Sequence, residues 1–221
     1  MRASVSKAGI EPGPGPSFDR YPVAVTNAFA ARTGALSSAL AAMRRTSATV
    51  RAGGQDVYEI DVPAGAVQLG VRLSMPRADS VGLPFYLYDC TGGSCLPSRY
   101  STSLVGSGTV TVDRPARGRW KLVVDATQRA GAPVGYALAD YYVDPALGGI
   151  ATTAAPAPRK PGEAWTETAR EWREGSPPPG RTLEPVFFYR DPEIVSDHGV
   201  VRNSSGLAPG VSNEIPIGLH F

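Results

Sequence analysis

The chain has 221 residues, of which 42% are hydrophobic and 19% charged, so it can bury the core of one large domain or of two smaller ones. Its 22 basic and 20 acidic residues are interspersed and leave a net charge of +2, which argues against a nucleic-acid partner. The most apolar N-terminal stretch, residues 28–43, is interrupted by arginine, glycine and serine, so we predict no membrane span.

Residues 1–45 are predicted to form a linker with a short helix at its end. Proline and glycine alternate from Pro12 to Pro16, which excludes a helix there. Further on, Leu36, Leu40 and Met43 fall on one helical face, and two arginines follow where the helix dipole favours them. An irregular alanine-rich connection is the alternative interpretation of this stretch.

Residues 46–145 show the period of two that is typical of strands. Apolar side chains take the odd-numbered positions of residues 67–75 and the even-numbered positions of residues 58–62. A Pro-Ala-Gly turn separates these two segments and predicts that they pair as a hairpin. Further strands are predicted at residues 85–89, 109–113, 119–126 and 134–143. Such short connections require antiparallel pairing, so we predict an all-β fold, an antiparallel sandwich or barrel.

Residues 146–221 are predicted to begin with a linker and to end in a small β-rich tail or partial second β-domain. Alanine, threonine, proline and glycine dominate the first part, up to about Pro161. Strand patterns follow at residues 185–189, 195–202 and 214–221. A region with so few apolar positions would be marginally stable alone.

Cys90 and Cys95 are the chain's two cysteines and flank a Gly-Gly turn. Their even number and close spacing favour a disulfide and an oxidising, extracellular location. Two free thiols in a cytoplasmic protein are the alternative, and a metal or redox role has less support, since the spacing is not Cys-x-x-Cys. The N-terminus lacks the apolar core of a signal peptide. We therefore expect the chain to be the C-terminal piece of a larger exported precursor.

Three segments, in the order DVPAGAVQLGVRLSM, FYLYDCTGGSC and VTVDRPARGRWKLVVDA, resemble the bacterial pre-peptidase C-terminal domain. The closest likeness is to the versions that follow subtilisin-like serine proteases, and it covers residues 55–145. The resemblance implies a jelly-roll-like sandwich, secretion and a protease domain in the same precursor. It also implies a non-catalytic accessory role in stability, maturation or the engagement of a protein or polysaccharide substrate.

The same resemblance suggests calcium as a possible cofactor. Family members often carry acidic residues just before the central strand, where this chain has Gly82, Leu83 and Pro84 instead. Asp79 and Asp89 lie nearby and are the remaining calcium candidates. Other acidic residues on the predicted strands, Asp56, Glu59, Asp61, Asp140 and Asp144, are interpreted as solvated surface, with a shared calcium site as the alternative.

Catalytic patterns are weak. The chain has two histidines, His198 in a weakly patterned tail and His220 beside the terminus, and no serine lies in a Gly-x-Ser-x-Gly elbow. Two cysteines and two distant histidines also make a poor zinc site. We therefore expect no catalytic residues in this chain, and an enzyme in its own right is the least supported hypothesis.

Tyr86 and Tyr88 are the candidate binding residues. They share one strand face, opposite Phe85 and Leu87, and exposed aromatic rings could stack on sugars. The alternative is that this face packs against the linker or the tail. The leading hypothesis is therefore a non-catalytic accessory module of a secreted protein, and a carbohydrate- or surface-binding module of an extracellular protein is the second.

Overall fold

A computed structural model describes residues 2–5, 11–12, 18–26, 35–75, 82–101, 107–152, 163–190, 214–217 and 219–220. The chain divides into two compact units. The first, which we call the sandwich unit, consists of Ala42–Pro145 and Pro177–Thr182. The second, the flanking unit, consists of Met1–Ala41, Ala146–Ser176 and Leu183–Phe221.

Strands make up nearly all of the regular structure, and the described residues contain no α-helix. Across this part of the chain there is one 3₁₀ turn, at Pro145–Leu147. No helix among the described residues could therefore cross a membrane. The strands are β1 (Arg2–Val5), β2 (Glu11–Pro12), β3 (Phe18–Thr26), β4 (Ala35–Val50), β5 (Gln55–Val62), β6 (Gln68–Ser74), β7 (Phe85–Asp89), β8 (Leu96–Ser101), β9 (Ser107–Asp113), β10 (Gly118–Asp125), β11 (Val134–Val143), β12 (Gly148–Thr152), β13 (Ala164–Arg173), β14 (Thr182–Arg190), β15 (Glu214–Ile217) and β16 (Leu219–His220).

The sandwich unit confirms the predicted antiparallel β-sandwich. One sheet has the order β5-β10-β7-β8, and the other contains the run β4-β11-β6-β9. Counting from β4 as the first strand, these orders are 2-7-4-5 and 1-8-3-6, which is the topology of a jelly roll. The predicted hairpin between β5 and β6 is wrong, because β5 pairs with β10 and β6 pairs with β11 and β9. The Pro-Ala-Gly turn instead carries the chain from one sheet to the other.

The core of the sandwich unit is formed by the alternate side chains that face inward. Trp120, Leu122 and Val124 of β10 are at most 2% exposed, as their alternation predicts. From the other sheet, Leu69, Val71 and Leu73 of β6 are fully buried. The indole N–H of Trp120 donates to the carbonyl of Ala116 at 2.9 Å, so its one polar group is satisfied.

The predicted helix at residues 36–45 is wrong, because these residues belong to β4. Leu40, Ala41, Ala42 and Met43 are all buried, and from Arg44 onward the exposure alternates with a period of two. A strand that is buried on both faces has a continuous run of apolar residues in its sequence. Periodicity alone does not distinguish such a run from a short buried helix. Pairing with β11 overrides the helical propensity of the alanines.

The flanking unit contains strands where linkers were predicted. Its sheet has the order β12-β13-β3-β1-β16, and β2 pairs with β3. β3 and β13 pair antiparallel over nine residues, with Ala164 opposite Thr26 and Trp172 opposite Phe18. The predicted linkers within residues 1–45 and 146–161 are therefore wrong in part, since β1, β2, β3 and β12 lie there. β14 and β15 occupy two of the predicted tail strands, whereas the third, at residues 195–202, lies outside the described residues.

Gly70 marks a close approach on the face of β6 that is opposite the core. Tyr141 of β11 is its cross-strand partner, and the buried ring of Tyr141 occupies the space that a Cβ atom at Gly70 would need. Because the ring is held in a packed environment, it cannot move away without cost. Glycine is therefore required at this position for steric reasons.

We expect Gly70→Ala to lower the free energy of unfolding by about 1–3 kcal/mol, because the added methyl group overlaps the Tyr141 ring. Gly92→Ala is the matched control, since nothing lies within 4 Å of a Cβ atom built there. Urea unfolding of both variants measures the difference. Equal stabilities for the two variants would contradict the steric account.

Candidate functional site

The loop between β7 and β8 is closed by the disulfide predicted between Cys90 and Cys95. Cys90 is buried, and its amide donates to the carbonyl of Arg119 on β10 at 3.0 Å. The tip at Gly92-Gly93 is exposed. The covalent bond thus ties the end of β7 to the start of β8, while the tip between them faces solvent.

The structure describes one of the two calcium candidates, Asp89. Asp79 lies outside the described residues. Asp89 Oδ1 accepts hydrogen bonds from the Thr91 amide at 2.9 Å and the Thr91 hydroxyl at 2.6 Å, so this oxygen shapes the loop. Within the described parts of the chain, no three His, Cys, Asp or Glu side chains are grouped so that they could hold a metal ion. Calcium binding stays a prediction from the family resemblance.

The outer face of the four-stranded sheet carries a row of apolar side chains that crosses all of its strands. Val57 is paired with Val123, Val123 with Tyr86, and Tyr86 with Tyr100. Val57 and Tyr100 are 53% and 65% exposed, and Val123 and Tyr86 are partly exposed. Because directly opposed residues of paired strands share a face, these four residues form a continuous row, which we call the tyrosine strip.

The two tyrosines are the aromatic part of the strip. The ring centroids of Tyr86 and Tyr100 are 6.4 Å apart, and the ring planes are inclined by 29°. This separation falls in the range of a favourable aromatic pair, so each ring helps to hold the other in place. The two rings together form the aromatic end of the strip, on the strands β7 and β8.

Polar side chains flank the strip on both sides. Gln55 and Asp125 form the neighbouring row on one side, and Glu59, Lys121 and Tyr88 lie on the other. Partial burial tends to raise the pKa of Asp125, but hydrogen bonds from Thr127 and Gln55 outweigh it and lower that pKa. The strand pairing places both predicted binding residues on this face, Tyr86 within the strip and Tyr88 beside it.

Asp140 is a buried carboxylate on the inner face of β11, paired with the core residue Val71. It is 1% exposed and accepts from Arg44 Nε at 2.8 Å and from Arg181 Nη2 at 2.6 Å. The guanidinium of Arg181 also lies 5.0 Å from the centroid of the Tyr142 ring, a cation–π distance. The interpretation of Asp140 as solvated surface is therefore wrong, because its register places it inside the sandwich.

A cavity of about 340 Å³ lies beside this ion-pair cluster, within the sandwich unit. Arg44, Arg181 and Tyr142 line it together with Pro178 and Pro179 of the segment Pro177–Thr182. Glu59 and Asp61 add two carboxylates. Equal numbers of acidic and basic side chains give the lining no clear preference for a cation or an anion.

Asp56 also departs from the surface interpretation, because it ends a chain of hydrogen bonds between the two sheets. The Tyr136 hydroxyl donates to Asp56 Oδ2 at 2.7 Å, so its oxygen accepts from the Tyr58 hydroxyl at 2.5 Å. Burial, together with the bonds to Asp56 and Tyr58, raises the pKa of Tyr136 above its ordinary value. A hydroxyl that stays protonated in this way cross-links β5 and β11 rather than acting as a base.

Comparisons with known proteins leave the chain without a family. No family model and no curated protein matches it. Among solved structures, it is similar to a periplasmic inhibitor of g-type lysozyme, PliG from Aeromonas hydrophila, with 17% identity and a TM-score of 0.32 over 47% of this chain and 87% of that one. The propeptide form of the lipase BlEst2 from Bacillus licheniformis gives 11% identity and a TM-score of 0.35 over 73% of this chain and 42% of the lipase. Likenesses this distant carry no argument about function.

We expect Asp140→Ala to lower the free energy of unfolding by about 3–5 kcal/mol, because it leaves the buried guanidinium of Arg181 without a counter-charge. Glu174→Ala is the control, since this exposed carboxylate lies outside the cavity lining and should change stability by less than about 0.5 kcal/mol. Urea unfolding checks both values. A loss for Asp140→Ala no larger than that for Glu174→Ala would contradict the role given to the cluster.

Proposed function

We propose that the chain is a non-catalytic accessory β-sandwich module of a protein that acts outside the cytoplasm. The observation that carries this proposal is the Cys90–Cys95 disulfide at the end of a jelly-roll strand. Disulfides persist in oxidising compartments and are rare in the cytosol. Both cysteines of the chain are joined in this bond, which leaves no thiol nucleophile.

The accessory role fits how the charged residues of the sandwich unit are used. Asp140 is neutralised by two arginines, and Asp56 accepts a hydrogen bond from Tyr136. The bond between Asp56 and Tyr136 links the two sheets, and the arginine pairs neutralise the buried charge of Asp140. A catalytic acid or base needs instead to reach a substrate and to exchange a proton with it. The polar interior therefore supports a stabilising role rather than a catalytic one.

We further propose that the parent protein is a subtilisin-like serine protease whose stability, maturation or substrate engagement this module serves. The support is the ordered resemblance of three segments within residues 55–145 to the pre-peptidase C-terminal domain. The coding sequence upstream of Met1 tests it, and we expect an in-frame subtilisin-like catalytic domain there. A stop codon immediately before Met1 would remove the parentage but not the accessory β-sandwich.

The second candidate is a carbohydrate-binding module, and the tyrosine strip is the observation that favours it. The apolar side chains of the strip are contiguous across four strands, and contiguous exposed apolar patches, unlike single exposed residues, mark interaction sites. The two candidates are compatible, since an accessory module can hold its parent protein on a polysaccharide.

We expect the Cys90→Ser, Cys95→Ser double variant to lose about 2 kcal/mol of stability, because the closed loop is short and its entropic contribution is correspondingly modest. The same loss should follow when the unmodified protein is treated with dithiothreitol. Urea unfolding with and without reductant measures it, and the double variant, which should not respond to reductant, is the control. Thiol titration of protein recovered from outside the cells checks the bond itself, and two free thiols there would contradict the disulfide on which the extracytoplasmic assignment rests.

A further inference from the structure

We propose that the tyrosine strip binds a neutral, unbranched, β-linked glycan whose chain runs across the strands of the four-stranded sheet. This inference rests on the carbohydrate-binding candidate above and adds the ligand class, its direction and the residues that hold it. It starts from the alignment of Val57, Val123, Tyr86 and Tyr100 in one row perpendicular to the strands.

The length of the strip fits a short stretch of an extended glycan. Neighbouring strands are about 4.8 Å apart, so the row spans about 14 Å across the four strands, enough for roughly three sugar rings. In a β-1,4-linked chain of glucose or xylose the ring substituents are equatorial, so the chain is extended and the axial hydrogens of each chair-shaped ring form two apolar faces. Tyr100 is 65% exposed and Tyr86 partly exposed, so their rings are assigned to contact two successive sugar rings, and the two valines continue the apolar surface.

The charges beside the strip favour a neutral ligand. Lys121 is flanked by Glu59 on one side of the strip, and Asp125 lies on the other, so both signs border the strip. A polyanion or a polycation would meet a like charge on at least one side. Sugar hydroxyls, by contrast, can accept hydrogen bonds from Lys121 and donate them to the carboxylates of Glu59 and Asp125. A neutral glycan can therefore form hydrogen bonds with the charged side chains on both sides of the strip.

The narrowness of the strip argues against a protein partner. Over β5 and β10 the apolar surface is one residue wide, between Gln55 and Asp125 on one side and Glu59 and Lys121 on the other. Over β7 and β8 it widens by one row, because Tyr88 and its partner Pro97 lie beside the two tyrosines. A stable protein interface buries about 800 Å² on each partner around an apolar centre from which charged residues are depleted. A strip this narrow, bordered by charges over half of its length, does not provide such a centre, whereas it suffices for a linear ligand.

The test is calorimetric titration of the full chain with cello-oligosaccharides and xylo-oligosaccharides of two to six units. We expect affinity to rise with length up to roughly three or four units and then to level off, because longer chains extend beyond the strip. Tyr86→Ala and Tyr100→Ala should each weaken binding roughly tenfold or more, as expected for the loss of a stacking ring. Tyr100→Phe should bind as the unchanged protein does, because stacking needs the ring and not the hydroxyl.

Leu96→Ala is the matched control, since Leu96 is 66% exposed on the same strand but lies outside the strip. It should not change the affinity. Far-ultraviolet circular dichroism of each variant separates lost binding from lost folding.

The inference is overturned if the protein binds neither oligosaccharide series. It is also overturned if binding survives both Tyr86→Ala and Tyr100→Ala. A dimer in sedimentation analysis that Tyr100→Ala dissolves would show that a second copy covers the strip, and would also overturn it. None of these results affects the disulfide measurement, so the extracytoplasmic assignment stands or falls separately.

Discussion

Everything in the sandwich unit depends on the register in which β5, β10, β7 and β8 pair. Leu122 of β10 lies opposite Tyr58 on one side and Leu87 on the other, and this row faces the core. The next row, one residue further along β10, must then face outward, and it contains Val123 and Tyr86. A slip of one residue in any strand would move its apolar side chains from the core to solvent. Burial of the inner row therefore also fixes the outer row, so the stability of the core maintains the alignment of the tyrosine strip.

The opening between the two sheets is closed by charged groups where apolar ones would be the usual solution. Arg44 of β4 reaches from one sheet to the other, where its Nη2 donates to the carbonyl of Glu59 on the edge strand β5 at 2.9 Å, while its Nε is paired with Asp140. Unpaired carbonyls on an edge strand invite pairing with another chain, and a bound guanidinium blocks this. Burial of Asp140 carries a desolvation cost that only well-oriented partners offset. The cluster therefore adds little net stability when intact, although the loss of one partner is costly.

The sequence predicted the parts of the fold that follow from local alternation and left out those that depend on distant partners. The alternation of Trp120, Leu122 and Val124 identified β10 and its buried face, and the cysteine spacing identified the disulfide. The partner of β5 could not be predicted, because the turn after it is compatible both with a hairpin and with a crossover between sheets. Arg181 could not be assigned to Asp140 either, since the two are 41 residues apart and the intervening sequence gives no pairing signal.

At the candidate site, Tyr86 was found from its own strand. The alignment with Tyr100, Val123 and Val57 was missed, although the apolar residues at polar positions, Val57 and Val123, were the available signal.

A β-bulge at Ser98 explains why Tyr100, and not its neighbour, stands beside Tyr86. Tyr88 pairs with Pro97 and Leu87 with Arg99, so Ser98 is left without a partner and the register shifts by one residue. Without the bulge, the pairing of Tyr88 with Pro97 would continue to place Arg99 opposite Tyr86, and a charged side chain would interrupt the strip. Bulges re-aim side chains and are enriched at sheet edges and near functional sites. The Cys90–Cys95 bond joins the same two strands just beyond the Asp89–Leu96 pair, so it limits any sliding of β8 along β7 that would undo this shift. The disulfide, the bulge and the aromatic pair therefore all affect the register of the edge strand β8. This gives the disulfide a role even though the core of the sandwich is already well packed.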